Sequence, residues 1–194
     1  MSNEVVELIT NVGDAQQWGL EADVVWSVHE DWTISAGFGY IDAEWDSGVF
    51  APVAGADLSG LTPPNIADWS VTAALDYSRQ LDNDTRLFGR LQLRHKGDAS
   101  TNAQFFDAPG DDFPFWDNPS FTVVDLGGGV AWNNWEFGIH VENLFDEKYY
   151  IDVQEFPNVA GAARVNAAGV VPGQIIIGTL EQPRRFVVSA QYQF

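Results

Sequence analysis

The last segment of the chain alternates between apolar and polar residues up to its final position. Apolar or aromatic side chains occupy every second position, namely Phe186, Val188, Ala190, Tyr192 and Phe194. Polar residues separate the last four of them, namely Ser189, Gln191 and Gln193. Because successive side chains of a β-strand point to opposite faces, this strand has one apolar and one polar face. An apolar face that ends in aromatic residues is typical of a transmembrane β-barrel strand, with lipid on one side and the lumen on the other.

The same period-two pattern predicts about seven strands in the whole chain. They span residues 16–29, 32–44, 68–79, 86–96, 121–132, 135–143 and 185–194. Short turns rich in Asn and Asp, at 29–31, 82–84 and 133–134, alternate with long connections at 45–67, 97–120 and 144–184. A further strand extension is predicted at 175–180. The predicted fold class is all-β: an antiparallel up-and-down transmembrane β-barrel fragment with short periplasmic turns and long extracellular loops.

Aromatic residues lie near both ends of the apolar strand faces. Three pairs on single strands are each eight residues apart, namely Trp18 and Trp26, Trp32 and Tyr40, and Trp69 and Tyr77. Eight residues that rise about 3.3 Å each and tilt by about 40° span roughly 20 Å, which is close to the height of an apolar membrane band. Two further residues, Trp132 and Trp135, extend the row at the periplasmic end. We therefore expect these residues to form membrane girdles, with the lipid bilayer and lipopolysaccharide as their neighbours.

Three segments carry a resemblance to a known family. They are N-L-F-D-E-K-Y-Y at residues 143–150, Q-P-R-R-F at 182–186 and I-T-N-V-G-D-A-Q-Q-W-G-L-E-A at 9–22. They resemble, in the same order, segments of TonB-dependent outer-membrane receptors. The first two flank the last extracellular loop in that family, and the third approaches a strand several hairpins earlier. The resemblance implies a protein of the Gram-negative outer membrane that imports a scarce nutrient, such as a siderophore, cobalamin or carbohydrate, with energy relayed by TonB.

The resemblance covers almost the whole chain, but the chain covers only part of the family's fold. A plug and a barrel of about 22 strands, at about 25 residues per strand and loop, need several times its 194 residues. Residues 1–194 are therefore expected to be the C-terminal portion of the barrel, and TonB to be contacted through absent N-terminal parts. The start, Met-Ser-Asn-Glu, lacks the basic and apolar regions of a signal peptide, so we expect Met1 to be internal to a longer parent.

Composition excludes several classes of function. The formal net charge is −19, with 28 acidic against 9 basic residues, which argues against nucleic acid as a partner. Cys is absent, so disulfides and thiolate metal sites are excluded. The consecutive residues Gly127, Gly128 and Gly129 lie inside a predicted strand, where they relieve crowding or permit curvature rather than bind a dinucleotide. Without a nucleophile elbow, a Walker loop or a Cys/His dyad, the sequence predicts neither an enzyme nor a cofactor.

The connection at 97–120 is the candidate site of ligand contact. Its aromatic and acidic residues are Phe105, Phe106, Asp111, Asp112, Phe113, Phe115 and Trp116. An aromatic surface of this kind suits a hydrophobic or ring-bearing ligand. Calcium, held with the help of Asp107 and Asp117, is an alternative, although the carboxylates lack the spacing of a calcium loop. A solvated acidic loop whose aromatics pack on each other or on lipopolysaccharide is the simplest interpretation.

Charged residues are also predicted on the polar face of the strands. Glu136, His140 and Glu142 share one side of one strand, but no metal motif has this spacing and polar side chains are expected in a lumen, so no metal site is predicted. Three cations share the polar face of the fourth strand, between strands that present two aspartates: Arg90, Arg94 and Lys96, with Asp76 and Asp125. Cross-strand charge pairs are the expected role, and contact with the parent's plug domain is the alternative.

The C-terminal strand carries a second resemblance. Outer-membrane proteins present a terminal aromatic residue and alternate apolar residues to the barrel-assembly machinery, and Phe194, Tyr192, Ala190 and Val188 resemble this signal. Two other classes of protein fit the alternation. One is a small stand-alone outer-membrane barrel, such as an adhesin or pore, with residues 4–10 as an eighth strand. The other is a secreted β-sandwich that acts as a binding module.

Overall fold

The computed structural model describes residues 13–50, 55, 57–101, 117–156 and 175–194. The eighth strand suggested at residues 4–10 lies outside the described residues. In the part of the chain that is described, no helix is long and apolar enough to cross a membrane.

The described residues form β-strands in three sheets. In chain order the strands are β1 (Ala15–His29), β2 (Trp32–Trp45), β3 (Trp69–Gln80), β4 (Thr85–Lys96), β5 (Ala99–Ser100), β6 (Asp117–Asn118), β7 (Phe121–Trp132), β8 (Trp135–Glu142), β9 (Tyr150–Phe156), β10 (Ile175–Leu180) and β11 (Arg185–Tyr192). Seven of them form the main antiparallel sheet in the order β1-β2-β3-β4-β7-β8-β11. These are the seven strands that the period-two pattern predicts, so the all-β, up-and-down architecture is confirmed.

Two of the long connections contain strands of their own. In the connection after β4, β5 pairs with β6 over two residues of each strand. In the connection after β8, β10 pairs with β9 from Ile175↔Phe156 to Leu180↔Tyr150. The strand predicted at 175–180 is thus confirmed as β10, but its partner β9 was not predicted. Only two alternating apolar residues, Ile151 and Val153, mark β9 in the sequence, which is too short a pattern to stand out from a loop.

The register of the main sheet aligns the alternating apolar residues of neighbouring strands on one face. Ala36 of β2, for example, lies between Val24 of β1 and Ala73 of β3. Farther along, Leu91 of β4 pairs with Leu126 of β7, which in turn pairs with Val141 of β8. Since side chains alternate across a strand, this register produces one continuous apolar surface and one mainly polar surface.

The apolar face of the sheet is uncovered in the described residues. Its large side chains are strongly exposed, for example Trp18 at 61%, Leu20 at 60%, Ile139 at 56% and Val188 at 80%. A β-sandwich would pack a second sheet onto such a face. The described residues contain no second sheet in this position, because β5–β6 and β9–β10 are small hairpin-like pairs at the connections. An uncovered apolar surface of this extent is expected to contact lipid or another apolar partner.

Aromatic rings of the predicted girdles contact one another near the strand ends. Trp18 lies against Tyr40 with ring centroids 5.4 Å apart, and Trp32 lies against Tyr77 at 4.6 Å. Trp69 instead stacks on His95 at 4.3 Å. These cross-strand pairs brace neighbouring strands. Their contact with a membrane stays a prediction.

Few side chains of the described residues are fully buried, and they lie mainly at the bases of the connections. The connection between β2 and β3 has a small core in which Val49 and Leu58 pack with Trp45 and Leu61. The backbone N–H of Leu58 donates to Val49 O at 2.9 Å, which holds the two buried side chains together. A single-layer sheet has no interior, so such clusters stabilise the connections rather than the main sheet.

Candidate functional site

The polar face of the main sheet carries a set of ion pairs centred on β4. Arg90 Nη1 donates to Asp76 Oδ1 of β3 at 3.0 Å. Arg94 Nη2 donates to Asp125 Oδ2 of β7 at 3.4 Å. The predicted cross-strand charge pairing is therefore confirmed for both arginines. Each pair neutralises a charge that faces the polar surface.

Two further ion pairs were not predicted. Arg86 Nη2 reaches Glu136 Oε2 of β8 at 3.3 Å. It crosses β7 at Ala131, the common register partner of both residues, where the small side chain leaves the path open. Arg185 of β11 makes a bidentate pair with Glu142, with hydrogen bonds of 2.7 and 2.8 Å. A bidentate guanidinium–carboxylate pair is both stronger and more directional than a single contact.

The structure gives no support for a metal at Glu136, His140 and Glu142. The first carboxylate is paired with Arg86 and the second with Arg185. His140 Nε2 lies 3.9 Å from Glu142 Oε1, which is a weak contact. Among the described residues, the cluster whose ligand atoms lie close enough for a metal is a different one, His29, Glu30 and Asp31 in the exposed β1–β2 turn.

Glycines of β7 make room for side chains on the polar face. A Cβ at Gly127 would lie 2.6 Å from His140 Nδ1, and one at Gly129 would lie 2.6 Å from Phe88 Cζ and would also meet the carbonyl oxygen of Phe137. The expectation that these glycines relieve crowding is thus confirmed. The space forms a hollow of about 490 Å³ with Gly127 and Gly138 among its lining residues. Its charged lining residues are Asp76, Arg86, Arg90 and Glu136.

A second, smaller cavity lies where the polar face meets the base of the β8–β11 connection. It has a volume of about 210 Å³, and Arg94 and His140 of the sheet and Tyr149 and Gln182 of the connection line it. Tyr149 is only 7% exposed and stacks on Phe121 with ring centroids 3.8 Å apart. Burial raises the pKa of the Tyr149 hydroxyl, and the negative charge of Glu181 raises it further. This phenol therefore stays neutral at physiological pH and keeps a proton that it can donate.

Asn143 holds the two ends of this connection together, a role that the sequence motif did not reveal. The residue is 5% exposed and has a φ of 52°. Its Nδ2 donates to the carbonyl oxygens of Glu147 at 2.9 Å and Gln182 at 3.3 Å, and its Oδ1 accepts from the N–H of Glu147 at 2.8 Å. Asn tolerates this left-handed backbone better than other residues with a side chain. The N-L-F-D-E and Q-P-R-R segments thus meet through one side chain.

A second set of bonds joins the same two segments. The N–H of Arg184 donates to Asp146 Oδ1 at 3.0 Å, and Arg184 Nη1 donates to the carbonyl oxygen of Leu144 at 3.2 Å. These bonds fix the entry to β11 next to the exit from β8. Hydrogen bonds between segments 40 residues apart are invisible to local sequence patterns.

The residues of the predicted assembly signal lie on and just beyond β11. Val188, Ala190 and Tyr192 share the apolar face of the strand, paired with Ile139, Phe137 and Trp135 of β8. Phe194 lies against Tyr192, with ring centroids 5.1 Å apart. The tail is also fixed through Gln193, whose carbonyl oxygen accepts from Asn134 Nδ2 at 2.7 Å and whose N–H donates to Asn134 O at 2.9 Å. The recognition role of these residues stays a prediction.

The predicted ligand-contact residues lie outside the described residues. They are Phe105, Phe106, Asp111, Asp112, Phe113, Phe115 and Trp116. Their role in ligand contact, and the alternative of calcium binding, stay predictions.

Comparison with known proteins links this geometry to a family of membrane receptors. Residues 3–144 match the family model described as "TonB dependent receptor-like, beta-barrel". The ferric yersiniabactin uptake receptor FyuA from Yersinia pestis has a similar structure, with a TM-score of 0.67 and 17% identity over 95% of this chain and 24% of that protein. The siderophore receptor PiuA from Acinetobacter baumannii aligns with a TM-score of 0.62 and 17% identity over 94% of this chain and 22% of that protein. The ferric-catecholate import receptor Fiu from K12 E. coli aligns with a TM-score of 0.60 and 21% identity over 93% and 21% of the respective chains.

Weaker sequence matches point to a different protein. Two fungal mitochondrial glutamyl-tRNA(Gln) amidotransferase B subunits, from Arthroderma otae and Paracoccidioides lutzii, share 26% identity over 87 residues and 29% over 92 residues. These matches cover 44% and 46% of this chain and 14% of each subunit. The chain thus spans about one seventh of these curated relatives and at most 24% of the three receptor structures. The amidotransferase matches include less than half of the chain, whereas the receptor structures align with nearly all of it.

Proposed function

The chain belongs to the TonB-dependent receptor β-barrel family, and from this premise we propose that it forms part of the wall of an outer-membrane transporter that binds and imports a scarce nutrient. The observation that carries the proposal is the two-faced sheet, with an uncovered apolar surface on one side and four arginine–carboxylate pairs on the other. An apolar surface next to lipid and a polar surface next to an aqueous lumen are what a barrel wall requires. The family consists of receptors and transporters, and the proposed role is transport rather than catalysis.

A ferric siderophore is the first substrate to test. The three similar receptor structures described above are receptors for ferric yersiniabactin, a siderophore and ferric catecholates. Cobalamin and carbohydrate are further candidates within the same class of scarce nutrients. The aromatic and acidic loop from Phe105 to Trp116 is proposed as a ligand-contact segment, because aromatic side chains bind ring-bearing ligands.

The substrate proposal is tested by growth under iron limitation. Strains with and without the gene for the full-length receptor would be supplied with one ferric siderophore at a time, from the catecholate, hydroxamate and phenolate classes. Cobalamin and oligosaccharides would be tested in the same way, each under limitation for that nutrient. Growth that depends on the receptor and on one solute, together with uptake of that labelled solute, supports the proposal. If no panel member shows receptor-dependent uptake although the receptor is present in the outer membrane, the substrate class is wrong.

The proposed partners follow from the same location. The lipid bilayer and lipopolysaccharide would contact the apolar face, TonB would act through the N-terminal parts of the parent, and the barrel-assembly machinery would engage β11.

The orientation of the strands in the membrane is tested with single cysteines in the full-length receptor. They are placed at Ser47 in the long β2–β3 connection and at Asn83 in the short β3–β4 turn, both of which are exposed. On intact cells an impermeant maleimide should label Ser47→Cys and not Asn83→Cys. Labelling of Asn83→Cys alone would invert the proposed topology.

A further inference from the structure

The mostly buried carboxylate of Asp125 links the polar face of the sheet to the connection between β8 and β11. Its Oδ1 accepts the backbone N–H of Asn143 at 2.8 Å, and its Oδ2 accepts Arg94 Nη2 at 3.4 Å. The Asp125 side chain is 13% exposed, whereas the Arg94 side chain is 47% exposed. One end of this chain of bonds is thus accessible from the polar face, and the other end lies within the base of the connection.

The bond between Asp125 and Asn143 bears directly on the β9–β10 pair. Asn143 is the residue whose side chain joins Glu147 to Gln182, close to the start of β9 and the end of β10. The N–H of Glu181 also donates to the carbonyl oxygen of Tyr149 at 3.1 Å, which continues the pairing toward Asn143. A displacement of Asn143 therefore changes the support of both strands.

The negative charge of Asp125 makes this support depend on Arg94. A mostly buried carboxylate that loses its cationic partner carries a large desolvation penalty. It reduces the penalty by turning toward water, and this change weakens the bond to the Asn143 N–H. A neutral amide at position 125 would keep an oxygen acceptor for Asn143 without this penalty.

We propose that Asp125 and Asn143 form a clasp that couples engagement of Arg94 on the polar face to the position of the β9–β10 pair. Arg94, Asp125 and Asn143 all line the cavity of about 210 Å³, so a hydrogen-bond acceptor that enters it meets the Arg94 guanidinium next to the clasp. By linkage, the position of β9–β10 changes the affinity of this cavity for such a group to the same extent. Asp125 and Asn143 are positioning residues in this proposal.

The chain offers a matched control on the same strand. Arg90 pairs with Asp76 on the same face, with an N–O distance of 3.0 Å and a half-exposed guanidinium. Asp76 lies in β3, which does not adjoin the β8–β11 connection in the main sheet. Loss of Arg90 therefore removes a similar ion pair without touching the clasp.

Hydrogen exchange in the full-length receptor, without added solute, tests the proposal independently of the substrate. Amides of Tyr150–Phe156 and Ile175–Leu180 should exchange about tenfold faster or more in Arg94→Gln and in Asn143→Ala. The first variant removes the cation that holds Asp125 next to the Asn143 N–H, and the second removes the side-chain bonds to Glu147 and Gln182. The same amides should keep their wild-type rates in Arg90→Gln and in Asp125→Asn. The double variant Arg94→Gln/Asp125→Asn should return to near wild-type rates, because the amide no longer needs the guanidinium.

Rescue by Asp125→Asn separates coupling from simple loss of fold. Amides of β3 and β4 provide the internal reference and should stay protected in every variant. Equal effects of Arg94→Gln and Arg90→Gln on β9–β10 would overturn the proposal. It would also be overturned if the double variant exchanged as fast as Arg94→Gln alone, or if loss of protection in β3 and β4 accompanied the faster exchange.

Discussion

Replacement of Gly129 by alanine tests how tightly the wall is packed on its polar face. Gly129 of β7 lies between Phe88 of β4 and the backbone of β8. An alanine Cβ there would lie 2.6 Å from Phe88 Cζ and 3.0 Å from Gly138 Cα, and it would also meet the carbonyl oxygen of Phe137. The Phe88 ring can rotate away, but the other two atoms belong to the backbone of the paired strand. The substitution therefore forces β7 and β8 apart.

The expected cost follows from these contacts. Overpacking in a well-packed region typically destabilises a protein by about 1–3 kcal/mol, and contact with backbone favours the upper half of this range. Gly89 of β4 is the matched control, because the nearest atom to its added Cβ is Gly127 O at 3.5 Å, an ordinary contact. Gly89→Ala should be neutral or should stabilise by about 0.4–1 kcal/mol through the unfolded chain. The two variants should thus differ by about 2–4 kcal/mol.

The free energies are measured by urea unfolding of the full-length receptor folded in lipid vesicles, followed by Trp fluorescence. Phe88→Ala in the Gly129→Ala background should recover part of the loss, since it removes the ring contact and leaves the backbone contacts. If Gly129→Ala and Gly89→Ala unfold within about 0.5 kcal/mol of each other, the close packing of β4, β7 and β8 at this point is refuted.

Three further predictions address the lipid face, the assembly signal and a turn. Val188 lies on the exposed apolar face of β11, and Val188→Arg should destabilise the receptor in vesicles by about 2–4 kcal/mol if the residue lies near the bilayer midplane. Ser189→Arg, on the opposite face, should cost much less. Equal costs of the two substitutions would argue against lipid at Val188. Deletion of Phe194 should deplete the receptor from the outer membrane of cells. The stability of the variant to unfolding in detergent should be nearly unchanged, because this terminal side chain is fully exposed. Normal levels of the variant in the outer membrane would contradict the recognition role. The backbone N–H of Asp84 and then the hydroxyl of Thr85 lower the pKa of Asp82 below its ordinary 3.8. The ionised carboxylate of Asp82 therefore stabilises the turn at neutral pH, and this stabilisation is lost only as the pH falls through the lowered pKa. A ¹³C carboxyl titration of Asp82 with a midpoint at or above 3.8 would contradict the turn geometry.

Much of the wall could be predicted because its pattern is long and repetitive. Strands of 12 to 15 residues, such as β1, β3 and β4, give many repeats of the period-two signal, so their bounds differ from the prediction by about one residue. The Arg90–Asp76 and Arg94–Asp125 pairs were also predictable, since these residues lie on adjacent strands with the same facing. Local alternation and strand order were sufficient to predict both the strands and these two ion pairs.

Other features depend on contacts that alternation does not encode. The Arg86–Glu136 pair skips a strand, and it exists because Ala131 is small enough for a guanidinium to pass. The Asn143 contacts join residues 39 positions apart, so the N-L-F-D-E motif identified the family without revealing its physical role. Strand β9 was missed because it is short and lies in a connection, where pairing with β10 rather than its own pattern stabilises it.

The central claim is that the main sheet separates lipid from an aqueous lumen. It is tested most directly by spin labels placed one at a time along β3 of the full-length receptor in vesicles, at Val71, Thr72, Ala73, Ala74, Leu75 and Asp76. Collision with oxygen, which partitions into lipid, should be high at Val71, Ala73 and Leu75 and low at the three residues between them. A water-soluble nickel complex should not reach the first set. Equal access of the nickel complex to both sets, or an oxygen pattern with the opposite phase, would contradict the assignment of the apolar face to the membrane.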